Sequence, residues 1–209
     1  MINDLRALPG VAQSLILIAA GVLAFVVALV LIRTGVVSWD ERLFTMLNTG
    51  TGSGSVGAKV VSAITTPIAL VILVVGAGFA VNRVHGSGAI LISAVAAAFG
   101  WALANGAKLL IDRPRPYLSL SEAILRQDPA RGTSFPSSHT AIVTAVVVAL
   151  LPLLPRPWRV VGIIVILVVA WSRMYFGVHH PLDLLGGVGT GMAAAGLAWM
   201  IVGAIARAW

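Results

Sequence analysis

Cysteine is absent from the 209 residues, which excludes a disulfide framework, a thiolate metal site and a cysteine nucleophile. Charge is scarce: charged residues make up 10% of the chain and hydrophobic residues 59%, where a soluble domain averages about 25% charged. A water-soluble body with this composition would lack the polar residues to coat itself. The same figures exclude intrinsic disorder. Acids are scarcest, seven against fourteen Lys and Arg, for a formal net charge of +7. In a soluble protein that excess would suggest nucleic acid. Here no basic stripe is interleaved with aromatics, and most charges lie between apolar blocks. Anionic lipid or a phosphate-bearing substrate is the expected partner, and nucleic acid is not. The twelve Arg against two Lys, with abundant Ala, Val and Gly, fit a GC-rich bacterial genome.

What the sequence has in quantity is long apolar runs. A membrane span needs about 20 apolar residues, and six stretches qualify or come close: 11–32, 60–81, 87–107, 138–154, 160–174 and 184–206. The fourth and fifth are short, and Pro152, Pro155 and Pro157 separate them. The first is too long for the apolar core of a signal peptide and no small-residue cleavage site follows it, so it is expected to remain as a signal anchor. The expected fold is all-α: a polytopic membrane helix bundle of six transmembrane spans, a single domain over 1–209. Gly186, Gly187, Gly189 and Gly191 in the last span read as helix-packing positions, because small residues let helices approach closely in lipid.

Six spans place both termini on one side. That face carries Arg6, Arg83, Arg156, Arg159 and Arg207 with one acid, Asp4; the opposite face carries nine Lys or Arg and six acids. The tight basic turns of the first face favour the cytoplasm, although the raw count of cations is larger on the second. The expected placement is a multi-pass protein of the plasma membrane, termini cytoplasmic, with residues 108–137 facing the exterior or periplasm.

Polar groups gather at three places that this span count puts on one membrane face: Lys108 to Arg115-Pro116, Pro136-Ser137-Ser138-His139, and Ser172-Arg173 to His179, His180 and Asp183. Lys108, Arg115 and Arg173 supply three cations, with arginine's planar fork suited to phosphate oxygens and lysine a compact point charge. Ser137 and Ser138 precede a helix, whose N-terminus is an anion site. His179 and Asp183 lie four apart, with Pro181 tolerated in a first helical turn. A carboxylate on one imidazole nitrogen fixes the tautomer and leaves the other nitrogen to attack. His139, from another span, can serve as acid and base.

Plainer readings apply to other polar residues. Arg113, Arg126 and Arg131 read as arginines at lipid headgroups. Asp40 and Glu41 beside Arg42 read as a surface cluster, Asp112 as the partner of a nearby arginine, His85 as a solvated loop residue and His180 as a neighbour of His179. Two further functions compete with catalysis by histidine. One is a transporter or flippase for phosphorylated lipid, with the cations serving binding alone. The other is a metallohydrolase with His139, His179 and Asp183 as ligands, disfavoured because three nearby cations would repel a divalent ion and no carboxylate cluster would hold it.

At these positions the sequence resembles the type 2 phosphatidic acid phosphatase superfamily of integral-membrane lipid phosphate phosphatases. The family signatures K-x6-R-P, P-S-G-H and S-R-x5-H-x3-D are matched by Lys108 to Arg115-Pro116, by Pro136-Ser137-Ser138-His139, and by Ser172-Arg173 to His179 and Asp183. Each motif is weak alone; the three in order are specific. The resemblance implies a phosphatase active site at one membrane face. His179 would become phosphohistidine, Asp183 would orient it, and His139 would protonate the leaving oxygen and then activate water. Lys108, Arg115, Ser137, Arg173 and the amide at Ser138 would hold the phosphoryl oxygens, with no metal or other cofactor. Serine at 138 replaces the family glycine and would be strained if the backbone there required a positive φ. Substrates implied are phosphatidic acid, phosphatidylglycerol phosphate or a polyprenyl diphosphate.

The orientation is testable on a chain that has no native cysteine. Ser121→Cys is expected to react with an impermeant thiol reagent in intact cells; labelling only after lysis would reverse the topology.

Overall fold

In the computed structural model, described over residues 5, 8–35, 37–49 and 88–208, the regular structure is helical. In chain order the helices are α1 (Val11–Arg33), α2 (Val37–Leu47), α3 (Gly88–Lys108), the single turn α4 (Pro116–Ser119), α5 (Ser138–Leu150), α6 (Arg156–Tyr175) and α7 (Pro181–Ala208). Four of them, α1, α3, α6 and α7, are long and apolar enough to cross a bilayer. The stretch expected as a second span, 60–81, lies outside the described residues, as does His85, so the count of six is not reached on the described residues alone.

Valine and isoleucine crowd α1 and α6, and β-branched residues are indifferent helix formers in water. Lipid removes the alternative, because a chain in hydrocarbon must satisfy its backbone within the segment. Prolines then mark the boundaries. Leu151–Leu153 with Pro152 forms a 3₁₀ turn that ends α5, and Pro155 caps α6. Pro157 does not end a span but sits in the first turn of α6, where its missing N–H costs nothing. The fifth span is therefore 20 residues, longer than the sequence suggested, while α5 is only 13.

The centre of the bundle is α7, which packs against α1, α5 and α3. Only Ser14, Gly21 and Ala28 of α1 are buried, one every seven residues, and they form a seam against α7. The rest of α1, including Leu15, Ile16, Leu23 and Val30, is exposed, as is the Val160–Val168 side of α6; these faces are suited to lipid. At the seam Gly21 and Gly189 meet backbone to backbone. A Cβ on Gly189 would lie 2.5 Å from the Gly21 carbonyl oxygen and 2.7 Å from the Phe25 nitrogen. The expectation that the α7 glycines serve packing is met there. Further along, Trp199 Nε1 donates to the Ala149 carbonyl at 3.0 Å and joins α7 to α5.

Leu5 and Leu8 share a core cluster with Val202 and Ala206, so both ends of the described chain lie at one end of the bundle. At the other end, the Ser137 N–H donates to the Asp183 carbonyl at 2.9 Å. The N-termini of α5 and α7 therefore stand side by side, and the C-termini of α3 and α6 arrive at the same level.

Gly189→Ala is expected to cost about 1–3 kcal/mol, because the added methyl meets backbone that cannot turn aside. Gly106→Ala, in α3 with open space around it, is expected to cost nothing. Thermal denaturation of the two purified variants in detergent checks the contrast.

Candidate active site

The first turn of α7 fixes the site. His180 precedes Pro181, and Asp183 reaches back so that its Oδ2 accepts the His180 N–H at 2.8 Å, the acidic half of a capping box. The carboxylate is fully buried. Its Oδ1 accepts from Arg113 Nη1 at 2.7 Å, and its Oδ2 also accepts from the Ser134 hydroxyl. His179 Nδ1 lies 3.4 Å from the same Oδ2. That is an ion-pair separation, and the nitrogen makes no formed hydrogen bond. Catalytic hydrogen bonds are often long before substrate binds. His179 lies outside the helices. Burial first, then the cations of Lys108 and Arg115, hold it below its ordinary range, to about 4, against the opposing pull of Asp183. Its imidazole is neutral at physiological pH, the state a nucleophile needs.

Two of the cations are anchored by main-chain oxygens. Lys108 Nζ, at the C-terminus of α3, donates to the Thr133 carbonyl at 2.7 Å and the Ser134 carbonyl at 3.3 Å. Arg115 Nε, Nη1 and Nη2 donate to the carbonyls of Gly132, Val178 and Arg131 at 2.9–3.0 Å. A guanidinium has five N–H groups, so two remain for an anion. Arg173, in the last turn of α6, is buried with its guanidinium 5.1 Å from the Phe176 ring centre and Nε donating to the Ser172 hydroxyl. Gly177, at φ +80, turns the chain from α6 toward His179. A Cβ there would sit 2.4 Å from the Ile124 carbonyl oxygen, so only glycine fits.

Ser137 is the N-cap of α5, its hydroxyl accepting from the Thr140 N–H and the Thr140 hydroxyl. Its own proton is still available to an anion. Ser138 has no positive φ, so serine fits the family glycine's place without strain. Its Oγ is buried and has no hydrogen-bond partner among the described residues. His139 follows in the same turn, in electrostatic contact with Arg173, His179, Arg115 and Lys108. The structure thus brings together all eight residues singled out from the sequence: His179, His139, Asp183, Lys108, Arg115, Ser137, Ser138 and Arg173.

Three plainer readings are corrected. Arg113 is not at the lipid surface; it is 6% exposed and bridges the buried carboxylates of Asp40 and Asp183. Asp40 is not part of a surface cluster; it is fully buried, and its Oδ1 also accepts the Leu182 N–H at 2.8 Å. Arg126 is buried over the Tyr175 ring, donating to the carbonyls of Tyr175, Asn48 and Thr49. The missed signal was the arginine two residues before Arg115, in a loop whose only apparent task was to carry a phosphate ligand. Asp112, expected to pair with an arginine, is exposed and forms no ion pair among the described residues.

Comparison with known proteins agrees with this geometry. The family model described as PAP2 superfamily matches residues 89–207, more than half of the chain and the whole of the site. The chain belongs to the PAP2 superfamily. Over 85 residues it is 34% identical to an undecaprenyl-diphosphatase of Sulfolobus acidocaldarius, covering 41% of each chain. Over 78 residues it is 40% identical to a putative undecaprenyl-diphosphatase, YbjG, of Escherichia coli, covering 35% of this chain and 39% of that one. The match thus spans about two fifths of the length of these curated relatives. The fold is that of the crystal structure of a transmembrane PAP2-type phosphatidylglycerolphosphate phosphatase from Bacillus subtilis. The TM-score is 0.63 and the identity 21%, over 86% of this chain and 94% of that one. With its apolar helices, this PAP2 chain is a membrane protein.

A depressed His179 can be measured directly. In protein labelled with ¹⁵N-histidine, the resonance that disappears in His179→Ala is expected to remain that of a neutral imidazole as pH falls through 6.5, gaining its proton only near 4. A midpoint at 6 or above would mean that the site is wet.

Proposed function

We propose that this chain hydrolyses the phosphomonoester or diphosphate of a membrane lipid through a phosphohistidine intermediate. The observation that carries the reading is the charge balance around the His179–Asp183 pair. Arg113 is offset by the two carboxylates it bridges. Lys108, Arg115 and Arg173 then leave the site with an excess of two positive charges beside a neutral His179. A phosphate dianion supplies the missing counter-charge, and fixed cations around its equatorial oxygens are what phosphoryl transfer chiefly needs.

His179 Nε2 attacks phosphorus while its Nδ1 proton is held toward Asp183. The bond from phosphorus to the lipid oxygen breaks, and His139 gives that oxygen a proton. A water then attacks the phosphohistidine, with His139 as base, and phosphate leaves. Lys108, Arg115, Arg173, the Ser137 hydroxyl and the Ser138 amide hold the phosphoryl oxygens throughout.

The position of the site favours a lipid. The N-terminus of α5, with Ser137 and His139, stands level with the first turn of α7 and the last turns of α3 and α6, at one end of an apolar helix bundle. A phosphate on a membrane-embedded chain reaches that level more readily than a soluble sugar phosphate. Among phosphatidic acid, phosphatidylglycerol phosphate and polyprenyl diphosphate, the names of the two curated relatives favour the last. The site faces the exterior or periplasm, with the termini cytoplasmic.

Purified protein with chelator present is expected to release phosphate from at least one member of such a panel and to be inhibited by vanadate, which mimics the trigonal-bipyramidal phosphoryl group. Arg115→Ala and Arg173→Ala are expected to weaken turnover and vanadate inhibition together. Acid-labile, base-stable label on protein quenched during turnover is expected in the wild type and absent from His179→Ala. Label that persists in His179→Ala overturns the nucleophile. Binding of all three lipids without phosphate release overturns the enzyme in favour of a transporter.

A further inference from the structure

The helix α2 and the residue just past it carry three inward side chains one turn apart, and each grips the segment that joins α6 to α7. Asp40 accepts the Leu182 N–H in the first turn of α7 and pairs with Arg113. Phe44, fully buried, lies with its ring centre 5.6 Å from that of His180. Asn48, just past the helix, donates to the carbonyls of Met174 and Tyr175 at 2.9 and 3.0 Å, at the end of α6. Ser38, Trp39, Arg42 and Met46 on the same helix are exposed. This element therefore splints the connection between α6 and α7.

We propose that Arg113 and Asp40 are positioning residues for the phosphoryl transfer: they fix the orientation of Asp183, and through it the attacking histidine. This rests on His179 as the nucleophile. Arg113 Nη1 occupies Asp183 Oδ1, so only Oδ2 is presented to His179 Nδ1. Arg113 is itself fixed by its second fork nitrogen on Asp40 Oδ2, and Asp40 is fixed by the first turn of α7. The ring closes from α2 through the 109–137 loop to α7 and back. Without Arg113, Asp183 Oδ1 would lose its donor and the two buried carboxylates would repel each other with no cation between them. An Asp183 turned from its place no longer holds the Nδ1 proton.

A pair kept only for stability and a pair that sets the histidine's charge differ in a sign. The charged and titratable groups that act on His179 directly are Asp183, Lys108 on α3, Arg115 in the loop and His139 on α5; one step away, Arg173 on α6 acts on His139, while Arg113 in the loop and Asp40 on α2 act on Asp183 or His180. Removing the Arg113 cation makes an imidazolium easier to form, so His179 gains its proton at higher pH. Removing the Asp40 anion does the reverse.

The test compares wild type, Arg113→Gln, Asp40→Asn and the double variant in detergent, using the ¹⁵N-histidine titration of His179 together with kcat and KM for a polyprenyl diphosphate. The expected midpoint moves up in Arg113→Gln and down in Asp40→Asn. Arg113→Gln is expected to lower kcat about 10²-fold, the scale of a 1 Å misplacement, with KM within about threefold because Arg113 touches no substrate. The double variant is expected to lose no more than Arg113→Gln alone, since the two act as a unit. Midpoints that stay put or move the same way overturn the proposal. So does a tenfold rise in KM at unchanged kcat, which would make Arg113 a substrate ligand. If Arg113→Gln does not fold, Asp40→Asn decides alone. Its amide oxygen can still accept the Leu182 N–H, and an unmoved His179 midpoint overturns the proposal. Failure of the nucleophile itself shows separately, as label surviving in His179→Ala.

Discussion

A fully buried carboxylate at the first turn of α7 is the constraint on which the rest of this structure turns. Removing an ionised carboxylate from water costs several kcal/mol even after relaxation, and the cost is tolerable only if each oxygen finds donors. Asp183 finds Arg113, the Ser134 hydroxyl and the His180 N–H, and its own carbonyl holds the start of α5 through Ser137 N–H. Satisfying one side chain thus draws in the loop after α3, the N-terminus of α5 and the N-terminus of α7. Arg113 then needs Asp40, which brings in α2. The active-site end of the bundle is arranged around the solvation of this one anion.

Lys108 and Arg115 follow the opposite logic. They are pinned by carbonyl oxygens, which orient a guanidinium or ammonium without cancelling its charge. Arg115 spends three of its N–H groups in this way and Lys108 two of its three. Such a site is preorganised for an anion before the anion arrives, and burial keeps His179 neutral within it. The bilayer adds its own constraint. Lipid compels helices, because a chain in hydrocarbon must satisfy its backbone within the segment.

Apolar run length, proline positions and three motifs were enough to read an all-helical membrane bundle, the convergence of the motifs on one face and the eight residues of the candidate site. These are local or one-dimensional signals: a span is a run of apolar residues, and a motif is a spacing that one turn or one loop enforces. The long fifth span was hidden because a proline reads as a stop unless its position within the first turn is known. Arg113, Arg126 and Asp40 read as surface groups. An arginine or aspartate between spans has the same sequence whether it faces headgroups or a carboxylate 70 or more residues away. Only the tertiary fold, which places α2 across the first turn of α7, decides that Asp40 is buried, that Arg113 lies between two acids, and that Asp183 offers His179 one oxygen and not the other.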